Sequence, residues 1–424
     1  MSAVAAQRFT LSAKARRHAQ LLADVARLSC WFATHGRTSI SDGSGIVACF
    51  EREFAAATDS SFALAMTSGT AALHSAYFAV GVGPGSEVLL PAYTWHATAT
   101  PVLQCGAVPV FCDVDPLTLT IDVEDLERRI TPRTRAVCAV HIWGSSAEMD
   151  RIVEVARRHN LAVIEDCSHA HGARYRGKPV GSWGDIGCFS LHASKTVAAG
   201  EAGVAVTSDP ALFDRMLLLG HPGRLAGGQA AGTFAPEVTD LGVKYRPHAF
   251  AVHLGRSSLR RLGQENERRG RVWARICGEL ESSRHLAPLG KLDAADWGGF
   301  YNYVVDFVSA REGSCAEDVV SLARSRGVPV GLEAYGQNLL HRAPVFTTLD
   351  RAGLGGGCFD PTRPWDENVA DVRLPVCERI GPRLIAFDRM MYLASDAFAR
   401  RSARELARAA SEVASDARCA HGVS

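Results

Sequence analysis

Cysteine pairs at metal or disulfide spacing are missing from this sequence. Its twelve cysteines are scattered from Cys30 to Cys419 with no CxxC pair and no histidines at zinc spacing. That pattern speaks against a disulfide scaffold or a metal site, and no metal is expected. The cysteines read instead as buried small hydrophobes in a reducing cytoplasm. No apolar run reaches the roughly 18 residues that a membrane-spanning helix needs. Residues 1–30 carry Arg8, Lys14, Arg16 and Arg17 but no apolar leader core, so a soluble cytoplasmic protein is expected. Blocks of like charge are absent too: 46 Lys+Arg balance 45 Asp+Glu for a formal net charge of +1. Neither nucleic acid nor a membrane surface is therefore an expected partner. There is no internal repeat and no low-complexity tail.

What is present is a long chain with an alternating rhythm. Its 424 residues are enough for two or three domains. Short apolar runs at 62–66, 87–91, 108–114, 135–142 and 161–167 have strand length. Most are separated by amphipathic patterns such as "EMDRIVEVARRHN" (148–160). The rhythm predicts an α/β fold with a mostly parallel sheet covered by helices. It persists through 203–220, after which the Gly/Pro-rich stretch 220–237 reads as a long loop. Residues 248–283 have helical periodicity, as one connecting helix would. Beyond them, 301–308, 316–327 and 394–417 suggest a smaller C-terminal α+β domain. The expected organisation is an N-terminal helical segment (1–40), a large domain (41–255) and a small one (256–424).

Three stretches carry chemistry. "TSGTAALHSAYF" (67–78) follows a predicted strand and opens a predicted helix. Its backbone N–H groups and the hydroxyls of Thr67, Ser68 and Thr70 make an anion pocket, or an ordinary N-cap with a glycine turn. "GVGPGSE" (81–87) lies after a helix and before a strand, the wrong order for a dinucleotide fingerprint. "VIEDCSHAHGA" (163–173) places Glu165 and Asp166 at the end of an apolar strand, where open α/β sheets bind ligands. His169 and His171 stand two residues apart without a third ligand, a poor metal site. "HASKTVAAGEAG" (192–203) sets Lys195 among apolar neighbours, as a buried nucleophile would be set. An anion pocket, a strand-end acid and a downstream lysine are together what pyridoxal phosphate requires.

Five ordered segments resemble the DegT/DnrJ/EryC1/StrS family of pyridoxal-phosphate sugar and cyclitol aminotransferases, of the aspartate-aminotransferase-like fold. They contain "FEREFAAATDSSFALAMTSGTAALHSA", "PAYTWHATATPVLQCGAVPVFCDVDPLTLTID", "VHIWGSSAEMDRI", "EDCSHAHGARYRGKPVGSWGDIGCFSLHASKTVAAGEAG" and "RRLGQENERR". The resemblance implies a large domain that binds pyridoxal 5′-phosphate. In it Lys195 carries the cofactor, Asp166 pairs with its pyridine nitrogen, and Gly69, Thr70 and Ser190 bind its phosphate. Trp95 would stack on the ring and His169 would lie on its 3-hydroxyl side. Tyr93, His192, Arg246 and His341 are expected substrate contacts. The family builds each site from two chains, so a homodimer is expected, with glutamine or glutamate as amino donor and a keto-cyclitol or keto-sugar as acceptor.

Two departures stand out. A family Gly-Glu-Gly-Gly run is "GEAG" here, with Ala202 in place of a glycine. In "LGVKYRPHAF" (241–250), Lys244 occupies the place of an asparagine that in many members crosses to the neighbour's phosphate. A lysine can act there as a point charge, and Arg246 can share the task. The "KYRPH" form resembles the branch of scyllo-inosose aminotransferases and aminohydroxybenzoate synthases. Competing readings are a sugar dehydratase, whose branch has histidine where this chain has Lys195, and a catalytically idle regulatory homologue, which should have lost Lys195 or Asp166.

Overall fold

Apolar residues on both sides of every central strand dictate a sheet covered on both faces, and that is how the chain folds. The computed structural model describes residues 3–36, 39–226, 243–290, 298–309, 315–347 and 372–420. Helices α1 (Ala3–His35) and α2 (Gly45–Ala57) precede β1 (Phe62–Met66), and α3 (Gly69–Ala79) follows it. Then come β2 (Glu87–Pro91), β3 (Val108–Cys112), β4 (Thr134–Val140) and β5 (Ala162–Asp166). A hairpin of β6 (Arg174–Tyr175) and β7 (Lys178–Pro179) leads to β8 (Ile186–Ser190) and β9 (Gly203–Thr207). The seven-stranded sheet runs β1-β9-β8-β5-β4-β2-β3. All neighbouring pairs are parallel except those that β9 makes with β1 and β8, so one strand is reversed.

Side-chain alternation divides the interior into two layers. Leu64, Val88, Leu90, Cys138 and Ile164 enter one core, while Ala63, Ala65, Leu89, Val137 and Val163 enter the other. Because neither face meets water, the strands read as unbroken apolar runs.

The second sheet is antiparallel throughout. It comprises β10 (Leu286–Pro288), β11 (Tyr303–Phe307), β12 (Val330–Leu332) and β13 (Leu384–Phe387) in the order β10-β11-β13-β12. Its core joins Val305, Phe307, Ile385 and Phe387 to Trp273, Ile276, Leu406 and Ala410 of the long helices Leu262–Leu280 and Asp396–Ala420. Phe9 and Ala13 of α1 enter the same core, and Phe9 stacks on Phe398 at 4.7 Å. The C-terminal part also reaches back. Leu339, Leu340, Phe346, Leu374 and Cys377 belong to the core of the large sheet, with Phe346 meeting Phe111 at 5.1 Å.

Several boundaries differ from the sequence expectation. The stretch 248–283 forms two helices, Ala249–Leu259 and Leu262–Leu280, instead of one. The helix tightens at Arg261, whose N–H reaches Ser258 three residues back, while the Ser258 hydroxyl accepts from the N–H of Ala198. The third run stops as a strand at Cys112, and the fourth ends at Val140 before a 3-10 turn, Ile142–Gly144. In the expected 220–237 loop, Pro222–Ala226 is helical, and residues 227–242 lie outside the described residues. Of the described cysteines six are buried, but Cys30 and Cys315 are exposed. Among the described residues no helix is long and apolar enough to cross a membrane.

One buried ion pair ties α2 to the chain after β9. Arg224 donates to both oxygens of Glu51, at 2.8 and 2.7 Å, and Glu51 also accepts from the N–H of Ala65 at 2.9 Å. Burial pushes the Glu51 carboxyl up and Arg224 opposes it. Arg224→Met is expected to cost about 3–5 kcal/mol, because it strands a buried carboxylate. Urea denaturation measures it, and adding Glu51→Gln should recover part of the loss.

Candidate active site

The C-terminal ends of the central strands open into a cavity of about 410 Å³. Its floor is made where α3, β8 and β9 crowd together. A Cβ on Gly69 would lie 2.7 Å from the Cβ of Ser190, and one on Gly203 would lie 2.2 Å from the carbonyl oxygen of Ser68. Only glycine permits this approach, which brings the first turn of α3 against the end of β8. Ser68 caps α3 by accepting from the N–H of Ala71 at 3.0 Å. The N–H groups of Gly69 and Thr70 have no acceptor among the described residues. With the Thr70 and Ser190 hydroxyls beside them, they form an anion cradle at the positive end of an eleven-residue helix.

Strand β5 settles which acid faces the cavity. Successive side chains point to opposite faces, so Asp166 lines the cavity and Glu165 does not. Asp166 accepts from the Thr98 hydroxyl at 2.8 Å and from the N–H of Ser168 at 3.1 Å. Glu165 is fully buried beneath the sheet. It accepts from the N–H groups of Gly181 (2.7 Å), Trp183 (2.8 Å) and Gly184 (2.8 Å) and from His141 Nε2 (3.0 Å). His141 Nδ1 accepts from the N–H of Ala147, which fixes the proton on Nε2. Cys167 completes a compact group with His141 and Glu165. The ligand atoms of His141 and Glu165 are already engaged in these hydrogen bonds, and the Cys167 thiol donates to the Glu165 carbonyl at 3.8 Å, so the group is a structural knot.

Lys195 is half-buried at the cavity wall, and its ammonium has no hydrogen-bond or ion-pair partner among the described residues. Its Nζ lies 4.7 Å from the centre of the Tyr301 ring. Burial pulls its pKa down and the charge of Arg389 adds to this, while Tyr301 and Asp166 oppose them. A lysine so placed keeps a larger share of neutral, nucleophilic amine than a solvated one. Beside it His169 lies in a pile of near-parallel rings, 4.0 Å from Tyr301, 5.0 Å from Trp143 and 5.8 Å from Tyr335. Burial first, then the charge of Lys195, holds its pKa well below the usual value, so the ring is neutral. Its buried Nδ1 has no partner among the described residues.

The cavity thus brings together Gly69, Thr70, Trp95, Asp166, His169, Ser190, His192 and Lys195. Trp95 stands at its mouth with 52% of its surface exposed. His192 is exposed, 2.8 Å from the Ser194 hydroxyl and 3.5 Å from Glu201. Four other expected residues do not line it. Tyr93 is buried behind the wall, donating to Glu333 at 2.5 Å and accepting from Trp143 Nε1 at 3.2 Å. His341 is buried against Glu378 at 3.0 Å. Lys244 is exposed and Arg246 half-buried on the segment whose Tyr245 carbonyl accepts from the N–H of Thr67, just before the cradle. Sequence reasoning missed Thr98, Trp143, Ser194, Tyr301, Tyr335 and Arg389. Of these, Thr98, Trp143 and Ser194 lay in segments whose order suggested a site, and Tyr301, Tyr335 and Arg389 did not.

The fit to pyridoxal phosphate rests on these observations: a cradle with free N–H groups for an anion, a carboxylate on a strand end for a protonated ring nitrogen, and an unpartnered amine between them. Two substitutions separate the acids. Asp166→Asn should leave stability near wild type, whereas Glu165→Gln should lower it by about 2–4 kcal/mol, because an amide cannot accept from four donors. Thermal and urea unfolding compare them. Buried histidines predict a pH dependence as well. The pKa values of His171 and His221 are pulled to about 3 by burial, and that of His169 also lies far below normal. The unfolded chain takes up these protons first, near pH ~6.5, so stability is present above that pH and lost below it. The expected slope between pH 6.5 and 5 is about 1.4 kcal/mol per pH unit for each histidine, read from urea midpoints.

Comparison with known proteins gives a consistent picture. Residues 33–355 match the profile of the DegT/DnrJ/EryC1/StrS aminotransferase family. GDP-perosamine synthase of Caulobacter vibrioides is 42% identical over 261 residues, covering 60% of this chain and 68% of that protein. L-Glutamine:2-deoxy-scyllo-inosose aminotransferase of Streptoalloteichus tenebrarius is 33% identical over 361 residues, 82% of each chain. Among solved structures, DesI in the presence of its TDP-sugar product superposes with a TM-score of 0.75 at 26% identity, covering 95% of this chain and 93% of the other.

Proposed function

The chain belongs to the DegT/DnrJ/EryC1/StrS aminotransferase family, and on that premise we propose that it uses pyridoxal phosphate to move an amino group from glutamine or glutamate to a keto-cyclitol or keto-sugar. The acceptor class follows the relatives, and the setting is antibiotic or other secondary-metabolite biosynthesis. One observation carries the reading: a half-buried lysine without a partner, a strand-end carboxylate and a helix N-terminus with free donors line one cavity.

Pyridoxal phosphate, when bound, supplies an electron sink for the carbon that loses its proton. Asp166 holds the proton on the pyridine nitrogen, and hydrogen bonds from Thr98 and the Ser168 N–H orient its carboxylate. Gly69, Thr70 and Ser190 grip the phosphate. Lys195 holds the cofactor at rest, and its freed amine carries the proton from the donor carbon. His169, neutral, borders the ring's hydroxyl side, and Trp95 covers one face. His192 lies within reach of the acceptor's hydroxyls. Tyr93 and His341 act on the substrate only through the walls they support.

The reading includes a cytoplasmic homodimer with shared sites, in which Lys244 and Arg246 serve the partner's phosphate. Support comes from Trp95, a large apolar ring left half in water at the mouth of the cavity. The division into 1–40, 41–255 and 256–424 is kept as a working one. The alternative is an aminohydroxybenzoate-synthase-like activity on the same site, and the retained Lys195 and Asp166 weigh against a dehydratase or an idle homologue.

Borohydride treatment of the loaded protein should bleach its visible band and leave the cofactor on the peptide containing Lys195. Label on any other lysine refutes the assignment. Lys195→Ala should abolish turnover. Mixing that chain with a Lys244→Ala, Arg246→Ala chain should restore about a quarter of wild-type activity, since random exchange leaves one site in four intact. No rescue after demonstrated exchange counts against shared sites.

A further inference from the structure

Tyr301 is delivered to the cavity by an unusually close passage of the chain. A Cβ on Gly299 would lie 2.8 Å from the Cα of Ala170 and 2.9 Å from that of Gly144. One on Gly298 would lie 2.6 Å from the carbonyl oxygen of Gly172, and one on Gly144 would lie 2.5 Å from the nitrogen of Phe300. The backbone of Phe300 has a positive φ of 27°, and the N–H of Tyr301 donates to the carbonyl of Trp143 at 3.1 Å. Strain and side-chain loss of this kind persist where the surroundings demand them. Here they place one phenol, from the C-terminal part of the chain, against the lysine of the large sheet.

The phenol is held on all sides. One ring neighbour is His169, stacked at 4.0 Å and 9°, and the Lys195 Nζ lies 4.7 Å from the ring centre. Arg389 Nη1 donates to the phenol oxygen at 2.6 Å, and the Ser194 hydroxyl is 3.3 Å from it. The other charged or titratable groups around the cavity are Asp166, Tyr335, His192 and Glu201. We propose that Tyr301 and Lys195 form a coupled acid–base pair, in which the charge on the phenol, held by Arg389, governs how readily the neighbouring Lys195 ammonium gives up its proton. Burial pushes the phenol up, yet the charges of Lys195 and Arg389 outweigh it and hold the phenol below its usual value. Such a pair titrates in two shared steps. A phenolate beside Lys195 favours its ammonium, and protonating the phenol releases that hold on the amine.

The inference rests on Lys195 being the reactive amine, and it is tested without turnover. Protein dialysed free of cofactor is titrated at the tyrosinate absorbance, and the pH dependence of Lys195 acylation is followed by peptide mass spectrometry. Wild type should show one tyrosine ionising below the ordinary value of about 10, and Tyr301→Phe should lack it. In Tyr301→Phe the Lys195 midpoint should fall by about one pH unit, a tenfold faster acylation below the midpoint, because the ammonium loses a neighbouring phenolate. Arg389→Met keeps the phenol and should move its ionisation up, which tests the pair even where Tyr301→Phe fails to fold. A Lys195 curve identical in wild type and folded Tyr301→Phe, or a Tyr301 ionisation indifferent to Arg389→Met, overturns the pair. Borohydride label on another lysine would instead overturn the premise.

Discussion

The cavity depends on a carboxylate that never enters it. Glu165 collects four hydrogen bonds, from three backbone N–H groups of the 181–184 loop and from His141 Nε2. A buried carboxylate with that many donors is stable only while all are in place, so it locks β4, β5 and the approach to β8 into one arrangement. Alternation along β5 then leaves Asp166 no choice but the opposite face. The chemistry of one acid is therefore secured by the structural use of its neighbour. The glycine contacts at Gly69 and Gly203 do the same for the helix end, because they let α3 begin within touching distance of Ser190.

The cavity is also where the two sheets meet. Asp166, Ser190 and Lys195 belong to the large sheet and the turns that follow it. Tyr301, Tyr335 and Arg389 come from around the small one. Buried carboxylates fasten the join: Glu333 accepts from Tyr93 and from the N–H groups of Tyr335 and Gly336. On the other side Asp113, buried under the large sheet, accepts from the N–H groups of Val376 and Cys377. Helix α1 bridges the same two parts, with Phe9 and Ala13 in the small core and Trp31 packed against one core of the large sheet. Burial of these carboxylates would be costly if the parts separated, since each would lose donors it has already been desolvated to meet.

Sequence pattern revealed the large sheet and its strand ends because there local signals agree with tertiary demands. Apolar runs of strand length, a Ser-Gly-Thr turn before a helix and an acid closing "LAVIED" each report a position in the fold. Family resemblance assigned roles to Lys195, Asp166, Trp95 and His169, and the structure gathers all four around one cavity. The rest was illegible for a physical reason. Tyr301 and Arg389 lie more than a hundred residues from Lys195 in sequence, and Tyr301 reaches it through glycines packed against glycines, a contact with no periodicity. His341 and Tyr93 misled for the converse reason, since a polar side chain near a site motif reads the same whether it faces the cavity or supports its wall.

Charge balance explains why the cavity tolerates an unpaired lysine. His169 and His171 are both kept neutral by burial, so they add no repulsion to Lys195. Asp166 and Tyr301 favour its charged form, while burial and Arg389 oppose it. The result is an amine that gives up its proton more readily than a solvated lysine, with no tight ion pair among the described residues to hold it. That balance would suit a group that must bind a carbonyl, leave it and carry a proton between visits, because each role needs a different protonation state at little cost in free energy.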